Sequence, residues 1–98
     1  MVVVAAGEVD LCTSPGLREA LADAVRRADR VIIDLTRVGF LDSTGMAVMV
    51  EALGQGHRRL DAALVGPTGL VARALEITGL TTLFRIYPSV AEAVGAPV

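Results

Sequence analysis

Four residues that could do chemistry stand together at the start of an apolar stretch with helical character. In the segment VGFLDSTGMAVMV, residues 38–50, Asp42, Ser43, Thr44 and Gly45 follow a strand-like run. Two interpretations compete. An Asp or Ser before a helix accepts a hydrogen bond from an unpaired backbone N–H group and stabilises the helix by roughly 1 kcal/mol. Alternatively, the segment presents a hydroxyl group for chemistry.

Catalysis by Ser43 lacks a base. His57, the only histidine, would lie about 14 positions further along the same helix, about 20 Å away at 1.5 Å per residue. Cys12 has no second thiol or base within reach in the sequence, and no cluster of Cys and His could hold a metal. The GPTG turn at 66–69 lacks the lysine of nucleotide-binding loops, and the chain contains no lysine at all. We therefore predict a protein that is not an enzyme and has no metal site or cofactor.

The composition indicates one small globular domain. The 98 residues are 53% hydrophobic and carry a net charge of −2, with acids and bases scattered along the chain. Because there is no basic stripe and the few aromatic residues are dispersed, the sequence does not favour a nucleic-acid partner. The apolar stretch 1–6 is too short for a signal peptide or a membrane span. We expect a single domain over residues 1–98, no membrane partner and, by default, a cytoplasmic location.

Short apolar runs rich in β-branched residues alternate with amphipathic stretches, which predicts four strands and four helices. Ser14 is placed to cap the first helix, and Gly79 is placed to adopt the left-handed conformation that ends the third. Strands that alternate with helices of this length predict an α/β fold with a mostly parallel sheet. The predicted strands are 2–6, 31–35, 60–66 and 81–87, and the predicted helices are 14 to about 29, 43 to about 59, 68–78 and 89–95.

The predicted second helix has a polar and an apolar side when it is drawn at 100° per residue. Small apolar side chains fall on or beside its polar side, next to Thr44, which favours a contact surface, although scattered exposed apolar residues are also ordinary. The solvent-facing set is Thr44, Ala47, Val48, Glu51, Gln55, Arg58 and Arg59, and the core-facing set is Met46, Met49, Val50 and Leu53. Apolar stripes are likewise predicted for the first helix (Leu17, Ala20, Leu21, Val25) and the third (Leu70, Ala74, Ile77).

Three blocks of the sequence resemble the signature blocks of the STAS family, in particular the bacterial anti-sigma factor antagonists. The blocks are GEVDLCTSPGLREAL at 7–21, VIIDLTRVGFLDSTGMAVMV at 31–50 and VARALEITGLTTLFRIYPSVAEAV at 71–94. The D-S-[ST]-G element after a strand is fairly specific for the family, and the match runs along nearly the whole chain. The resemblance outweighs the interpretation of this segment as a helix cap alone.

The resemblance implies a mixed, mostly parallel sheet of four to five strands flanked by about four helices. It also implies that the unphosphorylated protein binds an ATP-dependent anti-sigma factor serine kinase and displaces the sigma factor. The family's phosphorylated serine, on which a serine phosphatase acts, corresponds to Ser43. Family members commonly have a further edge strand before the G-E-x-D block, so either the sequence starts late or this member lacks that strand. The expected partner-binding residues are Asp10, Asp42, Ser43, Thr44, Ala47, Val48 and Glu51.

Two other functions stay open at this point. A STAS domain can serve as a scaffold or as part of a transport assembly in which Ser43 is never phosphorylated. The presence of both Asp42 and Ser43 favours a phosphorylatable antagonist over that alternative. A small enzyme or nucleotide-binding domain that uses Ser43 is less favoured, because the base, the metal ligands and the lysine are all missing.

Overall fold

The computed structural model describes residues 1–53 and 61–97, except for the side chain of Leu53. Strands and helices alternate along these ranges, as the sequence predicts. The residues Gln55, His57, Arg58 and Arg59, to which the sequence assigned helical positions, lie outside the described residues. The elements are β1 (Val2–Val9), α1 (Ser14–Arg27), β2 (Arg30–Leu41), α2 (Ser43–Leu53), β3 (Asp61–Val65), α3 (Gly69–Thr78), a short 3-10 helix (Leu80–Thr82), β4 (Arg85–Tyr87) and α4 (Val90–Gly95).

The four strands form one sheet in the order β1-β2-β3-β4, and all three neighbouring pairs of these described strands are parallel. Parallel neighbours need crossover connections, which α1, α2 and α3 provide in turn. The predicted α/β fold with a mostly parallel sheet is confirmed. The resemblance implied a mixed sheet, whereas the described strands contain only parallel pairs. In a parallel sheet the carboxyl ends of neighbouring strands lie at the same end, so the segments after β1 and β2 meet there.

Alternate residues of the central strand β2 point to opposite faces of the sheet. Ile33 and Leu35 lie in the main core together with residues of α1, α2 and α3. Ile32 lies in a smaller cluster with Ala93 of α4. Three helices therefore cover one face of the sheet and α4 packs on the other. Burial on both faces explains the apolar run of residues 31–33 near the start of this strand.

The predicted cap of α1 is wrong. Ser14 is the first helical residue and is buried, and Thr13 precedes the helix without a side-chain bond to its amide groups. The Thr13 hydroxyl donates instead to the carbonyl of Glu8, at 2.8 Å, and so belongs to the loop. In the predicted stripe of α1, Ala20 is exposed and Ala24 takes its place in the core.

The predicted faces of α2 are wrong at two positions. Val48, expected in solvent, is 2% exposed, whereas Val50, expected against the sheet, is 38% exposed. The reason is that α2 packs against α1 as well as against β2, which turns its buried side towards α1. An ion pair between Arg18 Nε and Glu51 Oε2, at 3.1 Å, also joins the two helices. Among the α2 residues whose side chains are described, Gly45, Val48, Met49 and Ala52 are buried, so the prediction for Met49 is confirmed.

The third helix ends as predicted, because Gly79 has a φ of 79°. Its predicted stripe is wrong, since Val71 and Leu75 face the core while Leu70 and Ile77 are exposed. The helix therefore meets the sheet one position further round than the apolar spacing suggests. None of the helices in the described parts of the chain is long and apolar enough to cross a membrane.

The fourth strand is shorter than predicted. Residues 80–82 form the 3-10 helix, in which the amide of Thr82 donates to the carbonyl of Gly79 at 3.1 Å. After the left-handed Gly79 the chain therefore forms a turn, and the extended backbone begins only at Arg85. The β-branched residues before that point follow local turn geometry rather than strand propensity.

One arginine joins the beginnings of two strands to the last helix. Arg30 Nε donates to Asp61 Oδ2 at 2.8 Å, which links β2 to β3. Arg30 Nη1 donates to the backbone carbonyl of Ala96, also at 2.8 Å, just after α4. Both side chains of the ion pair are half-buried, so these bonds are partly shielded from water.

Candidate functional site

The carboxylate of Asp42 organises the first turn of α2. Its Oδ1 atom accepts hydrogen bonds from the Thr44 amide at 2.9 Å, the Thr44 hydroxyl at 2.5 Å and the Gly45 amide at 3.1 Å. The Asp42 carbonyl accepts the first helical bond, from the amide of Met46 at 3.0 Å. Asp42 therefore caps the helix, satisfying amide groups that have no partner within the helix. The capping interpretation holds for Asp42 and does not account for Ser43.

Hydrogen bonding also keeps Asp42 ionised. The Thr44 hydroxyl contributes most to lowering the pKa of this carboxyl group, followed by the Gly45 amide, and the amides of Thr44 and Leu11 add to the effect. Partial burial acts in the opposite direction and is outweighed. A negative charge therefore lies beside Ser43 at neutral pH.

The two neighbouring hydroxyl groups have different surroundings. Thr44 is half-buried and its hydroxyl is held by Asp42. Ser43 is exposed, and its side chain makes no hydrogen bond to any of the described residues. Of the two hydroxyl groups, the one on Ser43 is accessible for a reaction with another molecule.

Gly45 allows α2 to lie close to the end of β1. A Cβ atom at this position would stand 2.6 Å from Leu41 Cδ1 and 2.7 Å from Val9 Cγ1, which is too close for any side chain without a shift of its neighbours. The amide of Asp42 donates to the carbonyl of Val9 at 3.1 Å, which fixes the same junction through the backbone. The requirement for glycine here is one of space, since no positive φ is found at Gly45.

The loop between β1 and α1 lies beside this junction. Asp10 Oδ1 accepts from the amides of Cys12 and Thr13, at 2.9 and 3.2 Å. The carboxylate of Asp10 thus holds the shape of its own loop. That loop brings the amide of Leu11 to the Asp42 carboxylate, while the Leu11 side chain is 72% exposed.

The structure brings together most of the residues expected at a partner surface. Asp10, Asp42, Ser43 and Thr44 gather at the carboxyl ends of β1 and β2, and Ala47 and Glu51 are exposed along α2. The prediction that Val48 binds a partner is wrong, because Val48 is buried against α1 and is not at the surface. Sequence reasoning missed two exposed apolar residues, Leu11 and Val50. An apolar residue inside the polar loop Asp10–Thr13 was the available signal for Leu11; no signal in the sequence distinguished Val50 from Val48.

Comparisons with known proteins point to one family. The family model described as the STAS domain matches residues 1–93. The chain is 37% identical over 86 residues to the anti-sigma-B factor antagonist of Listeria monocytogenes, covering 86% of this chain and 75% of that protein. It is 27% identical over 88 residues to the anti-sigma-F factor antagonist RsfB of Mycobacterium tuberculosis, covering 89% and 72%.

A solved structure supports the same assignment. The crystal structure of an anti-sigma factor antagonist from Mycobacterium paratuberculosis superposes with a TM-score of 0.86 at 29% identity, covering 95% of this chain and 80% of that one. The superposition covers nearly the whole chain. The protein belongs to the STAS domain family, and the relatives compared above are named anti-sigma factor antagonists.

Proposed function

We propose that this protein is a cytoplasmic anti-sigma factor antagonist that binds an anti-sigma factor with serine kinase activity and thereby releases the sigma factor. In this proposal the kinase uses ATP to phosphorylate Ser43, which ends the interaction, and a serine phosphatase restores the binding form. The protein acts by binding and does not catalyse a reaction itself. The names of its relatives support the general function. The observation that carries the site is the exposed Ser43 hydroxyl beside a Thr44 hydroxyl that Asp42 holds.

The surroundings of Ser43 suit a charge-based switch. Phosphorylation adds about 1.5 to 2 negative charges at neutral pH. The start of α2 tolerates negative charge because the helix dipole is positive there. The ionised Asp42 lies next in the chain, so the surface around Ser43 becomes strongly negative while the fold is kept. A partner that fits the unphosphorylated surface would then meet repulsion and unfavourable desolvation.

The proposed contact surface runs from the loop after β1 along the exposed side of α2. It consists of Leu11, Ser43, Ala47, Val50 and Glu51, with Asp10, Asp42 and Thr44 holding its shape. Its centre is apolar and its end carries the Glu51–Arg18 ion pair. Apolar residues at the centre and charges at the rim are the arrangement expected of a protein–protein interface.

The direct test is phosphorylation by candidate anti-sigma factors in the presence of ATP, followed by mapping of the phosphate by mass spectrometry. We expect phosphate on Ser43 and none on Thr44, because the Thr44 hydroxyl is engaged. Ser43→Ala is the matched control and should bind the anti-sigma factor without accepting phosphate. Phosphate on another residue, with Ser43 untouched by an anti-sigma factor that binds the protein, would contradict the assignment of the site. Absence of binding to every candidate would contradict the function.

A further inference from the structure

Leu11 presents its side chain to solvent beside the first turn of α2. The side chain is 72% exposed. The amide of Leu11 donates to the Asp42 carboxylate, and the same carboxylate accepts from the amides of that first turn. Leu11 and Ser43 are therefore neighbours of one carboxylate. A single exposed leucine is ordinary on a protein surface, so a role for Leu11 has to follow from the way in which its backbone is held.

Hydrogen bonds hold the backbone on both sides of Leu11. Asp10 Oδ1 accepts from the two amides that follow this residue, those of Cys12 and Thr13. The Thr13 hydroxyl accepts from the Asp10 amide at 2.9 Å and donates to the carbonyl of Glu8 at 2.8 Å. The loop therefore carries an exposed apolar side chain on a backbone whose conformation is already fixed.

We propose that Leu11 is the apolar anchor of the contact with the anti-sigma factor, and that Asp10 is a positioning residue that affects binding through Leu11. The inference rests on the proposed function, because a partner that reaches the Ser43 hydroxyl also meets Leu11. A side chain on an ordered backbone loses less conformational entropy on binding, so its burial contributes more to the affinity.

The chemistry of the partner surface follows from the direction of the Asp10 carboxylate. Its Oδ1 atom is engaged by amides of its own loop, whereas the side chain of Leu11 is left in water. The fitting partner surface is therefore an apolar pocket that receives Leu11. A basic patch that binds the charge of Asp10 is the alternative, and the two surfaces respond differently to the replacement of Asp10 by asparagine.

A double-mutant cycle tests the proposal, with the affinity for the anti-sigma factor measured by titration calorimetry and ADP in place of ATP so that no phosphate is transferred. We expect Leu11→Ala to raise the dissociation constant by roughly tenfold or more. Asp10→Ala should raise it roughly fivefold in the wild-type chain. In a chain that already carries Leu11→Ala, the same change should raise it by less than about twofold, because the loop then has no anchor to position. Asp10→Asn should keep most of the affinity, since its side-chain oxygen can accept from the same amides.

Val94→Ala is the control for the loss of an exposed aliphatic side chain. Val94 is 58% exposed and lies on α4, which packs on the other face of the sheet, so this variant should bind as the wild type does. Leu11→Ala removes a side chain that is already in water, and thermal unfolding should show it to be as stable as the wild type.

Three results overturn the proposal while the wild-type chain still binds, so that the proposed function stands. They are equal affinities of the wild-type and Leu11→Ala chains, an effect of Asp10→Ala that is the same with and without Leu11, and a loss in Asp10→Asn as large as that in Asp10→Ala. The last result would show that the partner binds the charge of Asp10. A wild-type chain that binds no candidate anti-sigma factor overturns the proposed function and this inference together.

Discussion

Ser43 and Thr44 are adjacent hydroxyl residues whose difference comes from a single carboxylate. Asp42 binds the hydroxyl of Thr44 and leaves that of Ser43 exposed. The sequence could place all three at a helix start, because such residues are favoured there for their side-chain bonds to amides. It could not assign the bonds, since Asp42 can cap the helix with or without the Thr44 hydroxyl. The hydrogen bonds of Asp10 within its own loop could not be predicted from the sequence either, because a carboxylate in a loop can bind several different groups.

At the residue scale we predict that Ser43→Asp leaves the fold intact and weakens binding to the anti-sigma factor by roughly tenfold or more. A carboxylate suits the first residue of the helix, so the free energy of unfolding should change by no more than about 0.5 kcal/mol. Thermal unfolding and titration calorimetry measure the two effects. Ser43→Ala is the control and should keep the affinity of the wild type. Equal affinities for the Asp and Ala variants would show that charge at this position does not control binding.

The helices as elements were easier to predict than their orientation. The end of α3 at Gly79 was predicted correctly, because it depends on the backbone conformation that glycine favours. The side-chain cap predicted for α1 was wrong. The predicted faces of α2 were wrong because residues 46–50 are all apolar, so no polar residue within that segment distinguishes its exposed positions from its buried ones. What decides between Val48 and Val50 is the packing of α2 against α1, which is a contact between segments distant in sequence.

At the element scale we predict opposite effects for two valines of α2. Val50→Arg should weaken binding to the anti-sigma factor while changing the free energy of unfolding by no more than about 0.5 kcal/mol, because the side chain is already partly in water. Val48→Arg should destabilise the domain by several kcal/mol, because it buries a charge without a partner.

Urea unfolding and an affinity measurement on both variants separate these cases. Val94→Arg, on the other face of the sheet, is the control for a new positive charge and should bind normally. A Val50→Arg protein that binds as well as the wild type would remove Val50 from the contact surface. Equal losses of stability in both α2 variants would contradict the observed orientation of the helix.

On the scale of the whole molecule, the alternation of elements and the mostly parallel pairing were predictable, because short apolar strands and crossover helices allow few arrangements. The sequence did not predict the order of the strands in the sheet. The contacts that join the starts of β2 and β3 to the segment after α4 could not be predicted from local sequence patterns. Arg30 reaches Asp61 and the carbonyl of Ala96, residues that are far from it in the sequence. An arginine before an apolar strand does not by itself indicate which distant residues its side chain will bind.

We predict that Arg30→Met lowers the free energy of unfolding by about 2 kcal/mol, because it leaves the half-buried Asp61 carboxylate and the carbonyl of Ala96 without their charged donor. Arg30→Lys keeps the charge but loses the forked geometry, so its stability should be intermediate. Urea unfolding measures both. A change below about 0.5 kcal/mol in Arg30→Met would place this arginine among ordinary surface residues.

The absence of a side chain at Gly45 has a consequence for how a signal at Ser43 could be stored. A Cβ atom at position 45 would collide with the side chains of Val9 and Leu41, so the first turn of α2 is packed closely against both. In the proposed function, the two states of the protein would then differ by the phosphate on Ser43 rather than by a change of conformation. If Ser43 is phosphorylated as proposed, the rate of switching would be set by the kinase and the phosphatase that add and remove the phosphate.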